Sequence, residues 1–360
     1  MKARFDRGHL GAIACVLAAA LLAVVLGACG GLVPGASAGT SLVSSGSDGR
    51  TPFASGADIS WVTEQEAKGA AFYNAAGVKT DPFVLLSNLG VNAIRLRVWV
   101  NPAGRYNTIP DVLAKARRVA ALGQRIMIDF HYSDTWADPS HQIKPAAWAS
   151  HNMAELKNDV YQHTFNVLTA LKGAGIEVSW VEVGNEINAG LMWPDAQTPH
   201  FDVIAALTNQ GYAAAKAVYP NALVIIHVAN SGDDAGCRWF FDNFIAAGGK
   251  VDVIGLSHYP SYPNLGATDW ASRNGQIGAT MTDMVFRYGK PVMVVEIGFP
   301  WDDAATAKAM IADIVARTKA LGANGLGVFY WEPNAYPNWQ DYRMGALNMQ
   351  GQFTAAMDPL

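Results

Sequence analysis

Eight short apolar runs, separated by longer stretches of helical periodicity, constrain what this chain can fold into more than any other feature. They are Ala57–Ser60, Ala93–Trp99, Arg125–His131, Val178–Gly184, Ala222–Val228, Val251–Ser257, Pro291–Gly298 and Gly325–Trp331. Asp111–Leu122 and Phe201–Val218 show the helical spacing between them. Near-continuous apolar strands alternating with helices imply a parallel sheet covered by helices. Eight such units predict a (β/α)8 TIM barrel in a single catalytic domain. The competing arrangement is a doubly wound open sheet. No GxGxxG or phosphate-binding loop follows any run, which counts against that arrangement and against a nucleotide cofactor. With 360 residues, 51% of them hydrophobic, a core of this size is available.

The N-terminal part has a different logic. Lys2, Arg4 and Arg7 precede an apolar stretch from Leu10 to Ala28, the pattern of an export signal. It ends in Leu26-Gly27-Ala28-Cys29, which resembles a bacterial lipobox. Cleavage before Cys29 and lipidation of its thiol would anchor the chain by acyl groups. A plain secretory signal or a retained anchor are the alternatives. Residues 30–52 are rich in Gly, Ser and Ala and are expected to act as a flexible tether. The expected division is therefore a signal at 1–28, a tether at 29–52 and a catalytic domain at 53–360. The expected location is the bacterial cell envelope or surface, with a membrane partner through Cys29. Cys237 is the lone cysteine of the globular part, so no disulfide framework is implied. A net charge of −4 without basic clusters excludes nucleic acid as a partner. A monomer is expected.

In such barrels the functional groups sit at the C-terminal ends of the strands. Those ends carry Asp58, Arg95 and Arg97, His131, Asn185 and Glu186, His227, His258 and Tyr259, Glu296, and finally Trp331 and Glu332. Acids, histidines and aromatics thus converge on one mouth. Glycosidic cleavage needs two carboxyl groups flanking the bond. Glu186 ends the fourth run and Glu296 lies in the seventh, across the mouth in a closed barrel. Asn185 is placed to donate to a sugar hydroxyl. Tyr259 and Arg95 can keep Glu296 ionised, and Glu186 needs a raised pKa to act as acid.

Six segments carry a family resemblance: NAIRLRVWVNP (92–102), DFHYSDTWADPSHQ (129–142), EVGNEINAGLMWP (182–194), LSHYPSY (256–262), VVEIGFP (294–300) and GVFYWEP (327–333). They span the whole domain, and together the chain resembles glycoside hydrolase family 53, the endo-β-1,4-galactanases. The resemblance implies hydrolysis of a galactan polysaccharide with net retention, Glu186 as acid/base and Glu296 as nucleophile. It implies that Arg95, His131, Asn185, Tyr259 and Trp331 line the cleaved-bond subsite, and that Asp134 and Trp136 help hold the chain. Asp58, Arg97 and His227 complete the expected substrate-binding set. Some relatives hold calcium near the loop after strand seven. Here that loop is short, and Asp302, Asp303 and Asn334 offer oxygens in a spacing that matches no ligand pattern. No metal site is expected, with calcium left open. Another retaining β-glycanase, such as a mannanase or glucanase, shares the acid pair, and a non-catalytic glycan binder shares the scaffold.

Overall fold

A computed structural model describes residues 52–261 and 269–360. The expected signal, the lipidation site Cys29 and nearly all of the tether lie outside the described residues. Eight parallel strands close into a barrel: β1 (Ala54–Asp58), β2 (Ala93–Val98), β3 (Arg125–Phe130), β4 (Trp180–Val183), β5 (Leu223–Val228), β6 (Val253–His258), β7 (Val292–Ile297) and β8 (Gly325–Trp331). Each pairs with its neighbours in chain order, and β1 pairs with both β2 and β8. That closure excludes the open sheet. Around the barrel lie α1 (Val62–Ala67), α2 (Pro82–Asn88), α3 (Ile109–Ala121), α4 (Met153–Gly173), α5 (Phe201–Val218), α6 (Asp234–Ala246), α7 (Trp270–Tyr288) and α8 (Ala304–Ala320).

The first strand begins three residues before the run expected at Ala57–Ser60. Ala54, Ser55 and Gly56 lack the β-branched signature, yet all three pair with β8. Ile59, which gave that run its apolar look, belongs with Trp61 to the turn into α1. Gly56 is required by space: a Cβ there would sit 2.3 Å from the Phe329 ring inside the barrel.

Helix starts follow local chemistry. Asn152 opens α4 with a reciprocal capping box, its side chain accepting from Ala154 and Glu155 amides while the Glu155 carboxylate accepts from the Asn152 amide. Asp81 caps α2, with Pro82 following where a missing N–H costs nothing.

Alternation along the strands splits the core in two. One set of side chains packs outward against the helices. The other fills the barrel floor: Ala54, Ala93, Met127, Trp180, Ile225, Val253, Met293, Val295 and Phe329. Above this floor the inward positions turn polar, with Asp58, Arg95, Asp129, Glu182 and His227 all wholly buried.

Strand β7 breaks the alternation at a decisive place. Leu256 pairs with Val294, but Ser257 pairs with Glu296, so β7 carries one extra residue there. The pairing with β8 shows the same insertion, Val328 to Val294 and then Tyr330 to Ile297. Val295 points to the floor and Ile297 to the helices. Strict alternation would have sent Glu296 outward; the bulge turns it into the mouth.

Phe329 anchors the floor under the site. Phe329→Ala is expected to cost about 3–5 kcal/mol, measured by urea unfolding. A loss below about 1 kcal/mol would contradict a close-packed floor.

Candidate active site

Arg95, wholly buried, is the central cation of the mouth. Its guanidinium reaches Glu182 Oε2 at 2.6 Å, Glu296 Oε1 at 2.9 Å, Asp58 Oδ2 at 3.0 Å and Asp129 Oδ2 at 3.1 Å. It also donates to Asn185 Oδ1 at 2.8 Å. Burial alone would raise the Glu182 carboxyl; Arg95 and then His227 overcome it and draw it down to about 2.

Glu296 is held on both oxygens. Arg95 meets Oε1, and the Tyr259 hydroxyl donates to Oε2 at 2.8 Å. Burial raises its pKa, opposed by Arg95, His227 and Tyr259 in that order. Both contacts expected from the sequence are therefore present. Among the described residues Glu186 has no such cation in contact. Burial first, and the Glu296 charge second, push its carboxyl up to about 7, against smaller pulls from His227 and Ser257. When two close carboxyls share protons, the one touching the cation ionises first. Glu186 is thus the one that keeps a proton.

The local chain geometry at Glu186 is unusual. Gly184 has φ +93° and Glu186 itself φ +46°, in the left-handed region. A non-glycine residue there stores strain and persists only where its surroundings hold it. Gln142 contributes by donating to the Asn185 carbonyl at 2.8 Å.

These groups open into a cleft of about 720 Å³. Of the expected residues, His131, Trp136, Asn185, Glu186, Tyr259, Glu296 and Trp331 line it. His131 Nδ1 accepts from the Trp99 indole at 3.2 Å and the Ala137 amide at 3.1 Å, while Nε2 lies 2.9 Å from Asp129. Two donors on one nitrogen and a carboxylate on the other assign the tautomer with hydrogen on Nε2. Asn185 commits one amide hydrogen to the Ala137 carbonyl at 2.7 Å, leaving the other for a ligand.

Five expected substrate contacts take other positions. Asp58, Arg95, Arg97 and His227 lie beneath the surface, almost or wholly without exposure. Each points inward at a strand end, one layer beneath the residues that line the cleft. Asp134 accepts from the Asn101 and Ala146 amides and so ties the loop after β3 together. Glu332 is buried too, paired with Arg97 at 2.5 Å. His258 turns toward α7, bonding Asn274 at 2.8 Å, because Ser257 takes the inward position. Asp303 caps α8 and Asn334 bonds Gln65, so Asp302, Asp303 and Asn334 do not converge on one point as ligands. Among the described residues no group of three or more His, Cys, Asp or Glu could hold a metal ion. Cys237 is free and buried in α6.

An aromatic wall forms one side of the cleft. The Arg97 guanidinium lies 4.3 Å from the Trp136 ring centre, 5.2 Å from Trp61, 5.6 Å from Trp99 and 6.0 Å from Trp331. Its Nε and Nη2 have no hydrogen-bond acceptor among the described residues. Ring faces take their place, an attraction that strengthens away from water. Trp61, Trp99, Tyr342, Asp129, Glu182 and Ser257 were missed as site residues. Asp129 and Glu182 carried a usable signal: each is an acid at an inward position inside an otherwise apolar run.

The chain is similar to known proteins over the whole barrel. A family model described as glycosyl hydrolase family 53 matches residues 54–357. A probable arabinogalactan endo-beta-1,4-galactanase A of Aspergillus terreus is 34% identical over 305 residues, covering 77% of this chain and 84% of its own. A solved structure from a study of two fungal beta-1,4-galactanases matches with a TM-score of 0.77 at 29% identity, covering 84% of this chain and 97% of that one. The GH53 catalytic domain of Ignisphaera aggregans gives 0.76 at 28%, covering 84% and 94%.

Removing the central cation leaves four carboxyls facing one another. Arg95→Met is expected to cost about 3–5 kcal/mol at pH 7 in urea unfolding. Without Arg95 the folded-state pKa values of Glu182 and Glu296 rise, so the deficit is largest at neutral pH and shrinks as they protonate on acidification. In the unmutated chain, Glu182 contributes stability that is present above its unfolded value of 4.5 and lost as pH falls toward about 2. A deficit that does not vary with pH would contradict this account.

Proposed function

The chain belongs to glycosyl hydrolase family 53 and is a glycosidase, and from that premise we propose that it cleaves internal β-1,4-galactosidic bonds of arabinogalactan, a pectin side chain, by double displacement. The observation that carries this reading is the unlike setting of two carboxyls in one cleft: Glu296 against a cation and a phenol, Glu186 without either and raised to about 7. The relatives' names supply the substrate, and the tryptophan wall suits the apolar face of a pyranose ring.

In the first step the Glu296 carboxylate attacks the anomeric carbon. The bond to the leaving oxygen breaks, and that oxygen takes the Glu186 proton. In the second step the Glu186 carboxylate takes a proton from water, whose oxygen attacks the same carbon and releases Glu296. Arg95 and Tyr259 hold the attacking oxygens in place, and the free amide hydrogen of Asn185 is available to a sugar hydroxyl.

We also propose that the chain is exported and lipidated at Cys29. Mass spectrometry of the native protein is expected to show an acylated N-terminal Cys29; an unmodified Cys29 in a protein soluble without detergent refutes anchoring.

Because Glu186 must be protonated to act as acid, kcat/KM is expected to fall as pH rises through about 7. Glu296→Gln is expected to reduce hydrolysis to background on every substrate. Glu186→Gln should cut galactan cleavage by about 10²–10⁴-fold while sparing the first step on a 4-nitrophenyl β-1,4-galactobioside. Azide should rescue Glu186→Ala with a β-product and Glu296→Ala with an α-product. Exchanged behaviours reverse the roles. A panel of galactan, arabinogalactan, mannan, xylan and cellulose tests the substrate: preference for mannan or cellulose favours a different β-glycanase, and hydrolysis of none favours a glycan binder.

A further inference from the structure

The turn that carries Glu186 lies beyond the reach of the sheet. Backbone pairing between β4 and β5 ends at Glu182 and Ile225, and Glu186 comes four residues later. Backbone φ is positive at Gly184, at Glu186 and at Gly190. A single 3-10 turn, Ile187–Ala189, follows Glu186, whose carboxyl makes no capping bond to it. So short a turn supplies too few bonds of its own to hold a strained residue in place. The restraint has to come from neighbouring elements.

Asn188, in the middle of that turn, supplies it. Its side chain reaches the first residue after β5: Nδ2 donates to the Ala229 carbonyl at 3.0 Å, and Oδ1 accepts from the Ala229 amide at 2.6 Å. The orientation of the Asn188 amide follows from its partners, because a backbone N–H only donates and a backbone carbonyl only accepts. One side chain thus stands in for a missing rung of the ladder and satisfies both polar groups of a buried residue. Ala229 opens the segment 229–233, which lines the cleft. Within it the Ser231 hydroxyl donates to the Ser257 carbonyl at 2.6 Å, so the segment is tied in turn to β6. From the opposite side, the loop after β3, Gln142 donates to the Asn185 carbonyl. The peptide before Glu186 and the turn after it are therefore gripped by different elements. Asn188 itself is not among the residues that line the cleft.

We propose that Asn188 is a positioning residue for the acid/base Glu186, holding the left-handed turn, and with it the carboxyl, against the cleft wall at the end of β5. This rests on the reading of Glu186 given above. A non-glycine residue with positive φ relaxes toward ordinary backbone angles once its surroundings release it. Proton delivery to the leaving oxygen needs the carboxyl within hydrogen-bond reach, and about 1 Å of misplacement costs about 10²-fold in rate. Glu296 is held independently. The pairing of β7 with β6 and β8 runs past it to Ile297, so its attack on the anomeric carbon does not depend on this turn.

The test is the full-length enzyme carrying Asn188→Ala, which removes both bonds to Ala229. Galactan hydrolysis is expected to fall by about 10- to 10²-fold. With 4-nitrophenyl β-1,4-galactobioside the leaving group needs no proton, so the first release of nitrophenol, followed by stopped flow, is expected to keep its original rate. The turnover that follows should slow, because the second step needs the base, and azide should restore it with a β-product. Asn188→Asp keeps the acceptor for the Ala229 amide, the shorter of the two bonds, and is expected to fall between Asn188→Ala and the original enzyme. If Asn188→Ala does not fold, the same pattern is read from Asn188→Asp. First release and turnover falling together, or turnover that azide does not restore, mark a structural role and overturn the proposal. Unchanged galactan hydrolysis overturns it, and so does failure of both variants to fold. Glu186→Ala measured alongside separates the two ideas. If azide does not rescue it, the acid/base reading fails; if azide does and Asn188→Ala matches the original enzyme, only the role of Asn188 fails.

Discussion

A single buried guanidinium surrounded by four carboxylates organises the mouth of this barrel. Arg95 touches Asp58, Asp129, Glu182 and Glu296, which come from four different strands. Desolvating that many charges is costly unless their geometry and hydrogen bonds are nearly complete. The planar fork of arginine meets this demand where a lysine could not, because its donors diverge in fixed directions. The consequence reaches outward in layers. Glu182, held ionised by Arg95, raises the pKa of His227; the Trp99 indole and the Ala137 amide set the tautomer of His131; Asn185 is fixed through its oxygen with one amide hydrogen still free. Glu296, His131 and Asn185, which face the cleft, each touch a charged group beneath it.

That layering explains what was legible in the sequence and what was not. Six of the eight strands lie within the apolar runs and β6 passes the end of its run by one residue, because β-branched residues flanked by helical periodicity are a strong signal. The first strand slipped because Ala54, Ser55 and Gly56 carry no such signal; only pairing with β8 makes them a strand. Both glutamates were visible at strand ends, as were Tyr259 and Trp331, while Trp136, in the loop after β3, was carried by the family resemblance. The depth of each residue was not visible. Asp58, Arg97 and His227 sit at strand ends like the others, yet one pleat lower, and linear order does not encode a vertical coordinate. Ser257 was hidden by the neighbouring His258, whose chemistry is more conspicuous but whose side chain turns toward α7.

The bulge in β7 illustrates the same limit from the other direction. Counted by strict alternation, Glu296 belongs to the outer face with Val294. Its presence in the mouth depends on one extra residue relative to both neighbouring strands. Bulges of this kind re-aim a side chain without disturbing the rest of the ladder. The strained backbone at Glu186 performs a comparable service on β4. The two opposed carboxyls therefore owe their positions to departures from regular strand geometry, while the rings and charges around them rest on regular strands.

The four indoles around Arg97 have an optical consequence. Trp61 meets Trp136 and Trp331 edge to face with ring centres 5.6 and 5.1 Å apart, and Trp99 meets Trp136 at 5.2 Å. Chromophores this close share their excitation, and their ring planes, crossed at 62–82°, form a chiral array. Two of the four, Trp136 and Trp331, also line the cleft. A saccharide seated on either ring perturbs the electronic state of the whole set, so occupancy of the cleft is written into the near-ultraviolet circular dichroism and intrinsic fluorescence of the unlabelled protein.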